Sequence, residues 1–269
     1  MTGFASRLLA GCTLTLVWAL AAPAAEQMSY GPNFQSGPGG WTHPFGGAFP
    51  PVQGSALPVR QDSQRPFISP VVSFRFGDIS NPNLKPWVKD AMKKDNDEID
   101  AGKIQFTANS SCLPAGVPMF DLLPGPLYIL QTPTKAVIIE EQSHYMRHIY
   151  LNVPHSADVA PSWFGESVGR YEGDSLIVDT VGLNAKTVVD SFRTPHTEKL
   201  HVVERWHLID GGNMLEVNIT VDDPDTFHQP WETYQRYQRG QRPLTEDICA
   251  ENNTNLFDYH MPFADKPDF

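Results

Sequence analysis

The sequence predicts a mainly β fold: an antiparallel up-and-down barrel of lipocalin-like shape or a sandwich, with one short N-terminal helix and an irregular Pro/Gly-rich arm. Three observations carry this expectation. From Leu127 onward the chain breaks into about eight short runs rich in Val, Ile, Thr and aromatic residues. Turn residues separate the runs, with Gly where positive φ is cheap, as in Glu172-Gly173-Asp174 and Asp210-Gly211-Gly212-Asn213. Finally, the run from Leu200 to Leu208 puts His201, Val203, Arg205 and His207 on one face and Leu200, Val202, Glu204, Trp206 and Leu208 on the other. A half-buried strand ordinarily keeps one clean apolar face, so ionisable groups on both suggest a polar or ligand-filled interior. A closed barrel supplies such an interior and removes exposed edges, which favours it over the sandwich.

Taken in order, residues 1–24 read as a secretory leader. Arg7 forms a short basic region, an apolar run extends from Leu8 through Ala22, and Ala22-Pro23-Ala24 is a small-residue cleavage site. Cleavage near Ala24 places the mature protein in the periplasm or outside the cell. The apolar run is shorter than the roughly 18 to 20 residues of a membrane span, and no later stretch is apolar enough, so an integral membrane protein is not expected. Leu9-Ala10-Gly11-Cys12 spells a lipid-attachment box, but it precedes the apolar run instead of following it.

Residues 25–80 are Gly, Pro, Gln and Ser with scattered aromatics such as Trp41, Phe45 and Phe49, and read as an irregular arm. Residues 81–260 form a single β-rich domain and 261–269 a tail. A surface helix is expected over 83–102: Pro86 suits a first turn, Trp87, Val88, Ala91 and Met92 make an apolar stripe, and Gly102 can end it. Strands are expected at 127–131, 136–141, 145–151, 168–172, 175–181, 200–209, 214–221 and 232–237. With the leader gone, Cys112 and Cys249 remain as an even pair in an oxidising compartment, which makes a disulfide the default reading.

The formal net charge of -11 repels phosphate backbones and argues against a nucleic-acid partner. Seven of the nine histidines fall between residues 144 and 228, where general acid/base chemistry near neutral pH is available to them. His155 follows a strand and His196 follows a proline, so both are rigidly presented. With Glu198 near His196 and Arg147 to stabilise negative charge, they are the catalytic candidates. His201, Arg205, Trp163, Trp206 and Trp231 are the ligand-binding candidates, the tryptophans as apolar pocket walls. The histidine spacings fit no zinc signature, and Arg205 between His201 and His207 is a poor neighbour for a cation, so no metal site is assigned. No nucleophile elbow, phosphate loop, dinucleotide fingerprint or Cys-x-x-Cys occurs, so no cofactor is expected.

Several stretches together resemble a group of exported, largely uncharacterised bacterial β-rich proteins. They are Cys112-Leu113-Pro114-x-Gly116-x-Pro118, Arg147-His148-Ile149-Tyr150-Leu151, Trp163-Phe164-Gly165-Glu166-Ser167-x-Gly169-x-Tyr171-Glu172-Gly173-Asp174, Pro195-His196-Thr197-Glu198, Val203-Glu204-Arg205 and Asp222-Asp223-Pro224. The resemblance spans about residues 80–255 and implies export and one β-rich domain. It carries no catalytic residues onto this chain.

Three functions follow as expectations. The first is an exported barrel holding a small, apolar or aromatic molecule in its pocket. The second is a cofactor-free lyase, isomerase or hydrolase using the same pocket. The third is an envelope interaction module working through the aromatic arm. Neither enzyme activity nor oligomeric state is decided by these residues.

Overall fold

The computed structural model describes residues 27–28, 30–43, 48–65, 75–141 and 145–252. The leader with its cleavage point, Phe45, His144 and the tail 261–269 lie outside the described residues. The elements are β1 (Gln27–Met28), β2 (Gly31–Pro32), β3 (Trp41–Thr42), α1 (Pro86–Asp100), β4 (Leu127–Gln131), β5 (Lys135–Glu140) and β6 (Tyr145–Leu151). They continue with β7 (Glu166–Glu172), β8 (Ser175–Val181), β9 (His201–Ile209), β10 (Met214–Asp222), β11 (Trp231–Arg239) and α2 (Cys249–Asn252). Strands β3 to β11 close into a nine-strand barrel, and the sandwich alternative drops out.

Two departures from the expected meander share one cause. A barrel of hairpin-joined staves must have an even number to stay antiparallel throughout, so nine staves require one parallel pair. That pair is β6 with β7, where Ile149 faces Ser167 and Leu151 faces Gly169. A parallel neighbour needs a connection that travels back along the strand. Residues 152–165 make that return across the outside of the wall, held at one end by Asn152 N–H to Gly169 O (2.8 Å) and at the other by Ser162 N–H to Gly182 O (2.9 Å). The ninth stave is the two-residue β3, drawn from the stretch read as an arm, which pairs with β11 on one side and β4 on the other. Two residues are too few to leave a periodic signal in sequence. The described part of the arm packs into the domain: Phe34 and Trp41 are 0% exposed and Phe49 2%, so these aromatics are core and not a docking surface.

Each barrel strand turns alternate residues inward, as Val202, Glu204 and Trp206 on β9 and Leu215, Val217 and Ile219 on β10 do. Trp41, Trp206, Trp231, Tyr237 and Phe120 fill the interior with less than 2% exposure each. A 3-10 turn at Met119–Leu122 packs against these inward residues, and its Asp121 carbonyl receives Tyr237 Oη at 3.0 Å and Gln235 Nε2 at 3.1 Å. Helix α1 lies on the surface with Val88, Met92, Asn96 and Ile99 buried, the spacing of one helical face. Each fully buried apolar side chain there contributes about 1.5–3 kcal/mol before ordering costs. Asn96 exchanges both its amide bonds with the Gly77 backbone (3.1 and 2.9 Å), seating the helix on the preceding segment. Cys112 and Cys249 form the expected disulfide with Cα atoms 5.6 Å apart, which ties α2 to the loop before the 3-10 turn. Among the described residues no helix is long and apolar enough to cross a membrane.

Candidate functional site

The polar interior suggested by β9 is real, but it is sealed. Arg147 on β6 points inward and forks onto Glu204 of β9, Nη1 to Oε1 at 2.8 Å and Nη2 to Oε2. Its Nη2 also donates to Thr180 Oγ1 (2.9 Å) and Ser167 Oγ (3.2 Å), and those two hydroxyls lie 2.8 Å apart. Arg147, Glu204, Thr180, Asp121 and Tyr237 are all 0% exposed. Burial opposes the Arg147 charge, yet the Glu204 carboxylate beside it holds its pKa above the ordinary value. Asp121 has burial and then the Glu204 charge acting together, so its carboxyl is raised well above its ordinary value. Such a network joins five strands, β6 to β9 and β11, and one turn inside the wall. Arg147 therefore sits in a fully buried ion pair with Glu204 and has no surface open to solvent.

His196 is likewise an internal joint. It is 3% exposed, with Nδ1 donating to Thr197 O at 2.8 Å and Nε2 accepting from Thr187 Oγ1 at 2.7 Å. Burial lowers its pKa, so the imidazole is neutral and both nitrogens are spent on the fold. Thr197 is held in turn by Asp223, through its N–H at 2.6 Å and its hydroxyl at 2.9 Å. Glu198 follows on the exposed turn ahead of β9. Trp206 and Trp231 are 1% exposed core residues, with Phe49 tilted and Phe227 edge-on against the Trp231 ring. Arg205 lies outside the wall, 3.5 Å from Glu172, beside a shallow hollow of about 340 Å³ over β8–β11.

The remaining candidates do converge, on the outer wall where the returning segment 152–165 crosses β7 and β8. His155 Nδ1 lies 3.0 Å from Glu166 Oε1, and His155 Nε2 lies 3.0 Å from Asp179 Oδ1. His201 Nε2 reaches the same Asp179 oxygen at 2.9 Å. Ser156 completes the set, donating its N–H (2.7 Å) and hydroxyl (2.5 Å) to Glu166. The side chains are a quarter to two-fifths exposed, so the array faces solvent. Partial burial works against charge on His155, but the hydrogen bonds to Asp179 and Glu166 outweigh it and raise the pKa. The Ser156 bonds lower Glu166; for Asp179, burial acts upward and is overcome by the bonds from His155 and His201. Cross-strand placement explains the meeting: Glu166 lies opposite Val181 and Asp179 opposite Val203, all on the outer face. Gly165 makes the approach possible, since with φ of 61° a Cβ there would stand 2.3 Å from Val181 O.

Beside this array lies a hollow of about 520 Å³ between β6 and the returning segment. Met146, His148 and Tyr150 form its floor, Trp163 and Phe164 one side, and Glu166 connects it to His155. Met146 is 56% and Tyr150 45% exposed, an unusual load of apolar surface facing water. Lys135 Nζ rests 4.7 Å from the Tyr150 ring and Lys186 Nζ 5.9 Å from the Trp163 ring, so two ammonium groups border the aromatics. Of the residues singled out in sequence, His155, His201 and Trp163 belong to this region. Glu166, Asp179, Met146 and Tyr150 were missed, because single carboxylates and apolar residues in separate strands carry no local pattern. The strict alternation of β6 was the one available signal: it sends Arg147 inward and therefore Met146, His148 and Tyr150 outward.

A third hollow, about 380 Å³, is lined by Asn81 and Asn83, whose amides are already bonded to Leu57 O and Gln229 O (3.0 Å each). Among the described residues no group of three or more His, Cys, Asp or Glu is arranged to hold a metal ion. Comparison with protein-family models, with curated proteins and with solved structures finds no match for this chain.

Proposed function

We propose that this is an exported small-molecule-binding β-barrel whose ligand, an apolar or aromatic molecule, lies against the outer wall and not in the bore. The observation that carries the reading is the aromatic hollow of about 520 Å³ built from Met146, Tyr150, Trp163 and Phe164. Its size falls in the range of small-molecule sites, and its apolar walls are joined by polar groups such as His148, Asp158 and Glu166 that could orient a ligand. Among the described residues, Trp206, Trp231, Tyr237 and the Arg147–Glu204 pair pack the interior with about 1% exposure or less. The disulfide is in keeping with an oxidising compartment.

The test uses the fluorescent probe N-phenyl-1-naphthylamine. Binding with enhanced emission is expected, weakened about tenfold or more by Tyr150→Ala or Trp163→Ala, since loss of one aromatic wall is of order 1.4 kcal/mol or larger. Leu57→Ala, on the far hollow, is the control and leaves binding unchanged. Equal binding by all three variants refutes the outer-wall site.

A second reading, acid/base catalysis, is favoured by one feature. Asp179 fixes His201 through Nε2, and Nδ1 of that imidazole has no partner among the described residues. A carboxylate-oriented histidine with a solvent-facing nitrogen is the arrangement of a general base. His201→Ala abolishing a turnover found by substrate screening, with folding intact, is the result that would establish it.

A further inference from the structure

We propose that His155 is a pH-operated latch that fastens the segment 152–165 to the barrel wall and so sets how well the hollow retains its ligand. The proposal rests on the ligand-binding reading for its consequence, but the latch itself is a property of the protein alone.

The segment exists because the odd strand count demands a parallel return, and it supplies one wall of the hollow through Asp158, Val159, Ala160 and Trp163. Its backbone anchors lie at Asn152 and Ser162. Between them, the described side-chain bonds from the segment to the strands beneath are those of His155 and Ser156. His155 joins two different strands: one nitrogen meets Glu166 at the start of β7, the other meets Asp179 on β8. Both contacts are donor bonds to carboxylates only when the ring is protonated. A neutral ring has one N–H, so one nitrogen lone pair then faces a carboxylate oxygen at 3.0 Å and that bond becomes a repulsion.

The charged surroundings act in the same sense. Glu166 from β7 and Asp179 from β8 face the ring directly. His201 from β9 shares the Asp179 oxygen, and Asp222 of β10 stands opposite His201 in the strand register. His148 of β6 and Asp158 of the segment line the hollow beside Glu166. Deprotonation of His155 removes its positive charge from among these carboxylates and leaves their mutual repulsion uncompensated, so the array loosens for that reason as well.

The sign follows from linkage. His155 has a folded pKa above its unfolded value near 6.5, so its contribution is complete below that value and lost as pH rises through the folded pKa. Glu166 and Asp179 have folded pKa values below their unfolded ones near 4, so their contribution is complete above those and lost as pH falls through the folded values. The latch is therefore tightest between about pH 4.5 and 6.5 and opens on the alkaline side.

The experiment is hydrogen exchange of the full-length, oxidised protein from pH 5 to 9, corrected for intrinsic rates, together with an NMR titration of the His155 ring. Protection of residues 152–165 is expected to fall as pH rises, by about tenfold for each unit by which the titration places the His155 pKa above 6.5. His155→Gln is expected to exchange fast at every pH, and Glu166→Gln to keep a latch that opens at lower pH. Protection that ignores pH in the native protein, or a pH dependence that survives His155→Gln, overturns the proposal. Probe binding separates the two claims: exchange that follows His155 while N-phenyl-1-naphthylamine never binds leaves the latch standing and removes the ligand site.

Discussion

Replacing Arg147 by Met tests the interior most sharply. The variant keeps the length of the side chain while leaving Glu204 0% exposed and without its guanidinium, near the Asp121 carboxyl whose pKa burial raises. Removing one member of a buried ion pair costs about 3–5 kcal/mol, because the stranded partner keeps its desolvation penalty. For a domain of this size that corresponds to a drop in Tm of roughly 6–20 °C. Replacing both members, Arg147→Met with Glu204→Leu, removes the stranded charge, and such pairs exchange for apolar groups at little net cost. Ser167 and Thr180 still have each other at 2.8 Å. The double variant is thus expected within about 2 kcal/mol of the native protein, and more stable than Arg147→Met alone. Glu204→Leu alone is expected to cost less than Arg147→Met, because Asp121 can ionise and face the guanidinium in its place. Urea unfolding at pH 7 with the disulfide intact measures all four proteins, with an unchanged m value confirming comparable end states. A single Arg147→Met variant that loses less than about 1 kcal/mol, or a double variant as unstable as the two singles summed, refutes the buried-pair account.

Other expectations follow from the same geometry. Asp121 has a raised folded pKa, so its contribution is present below the unfolded value near 3.9 and is lost as pH rises through the folded one; Asp121→Asn should flatten that part of the loss of stability with rising pH, measured by urea unfolding across pH. Reducing the bridge between Cys112 and Cys249, 137 positions apart, should lower stability by up to about 5 kcal/mol, measured by unfolding with and without reductant. His196→Ala leaves the Thr187 hydroxyl and the Thr197 carbonyl without their partner and should cost about 1–3 kcal/mol while probe binding in the outer hollow is unchanged. A loss of binding without loss of stability would return His196 to the site.

The alternation of apolar residues and the Gly-bearing turns determined the eight long strands, because strand period and turn chemistry are local. Observed bounds differ from expected ones by at most two residues at either end, as for β7 at Glu166–Glu172 and β11 at Trp231–Arg239. Helix α1 was legible for the same reason, through Pro86 and the stripe that includes Val88 and Met92. Compartment chemistry reached the cysteine pair. Strand parity was not legible, since it depends on the two-residue β3, and parity is what throws residues 152–165 across the outer wall. Residue chemistry alone could not tell buried from exposed: Arg147 and His196 are chemically versatile, but the fold buries both and pairs their nitrogens inside the protein. The site itself is a tertiary product. His155, Glu166, Asp179 and His201 come from a loop and three strands, and the pairing of β7, β8 and β9 together with the return of residues 152–165 over them brings the side chains to 2.9–3.0 Å contacts in sequence-distant pairs.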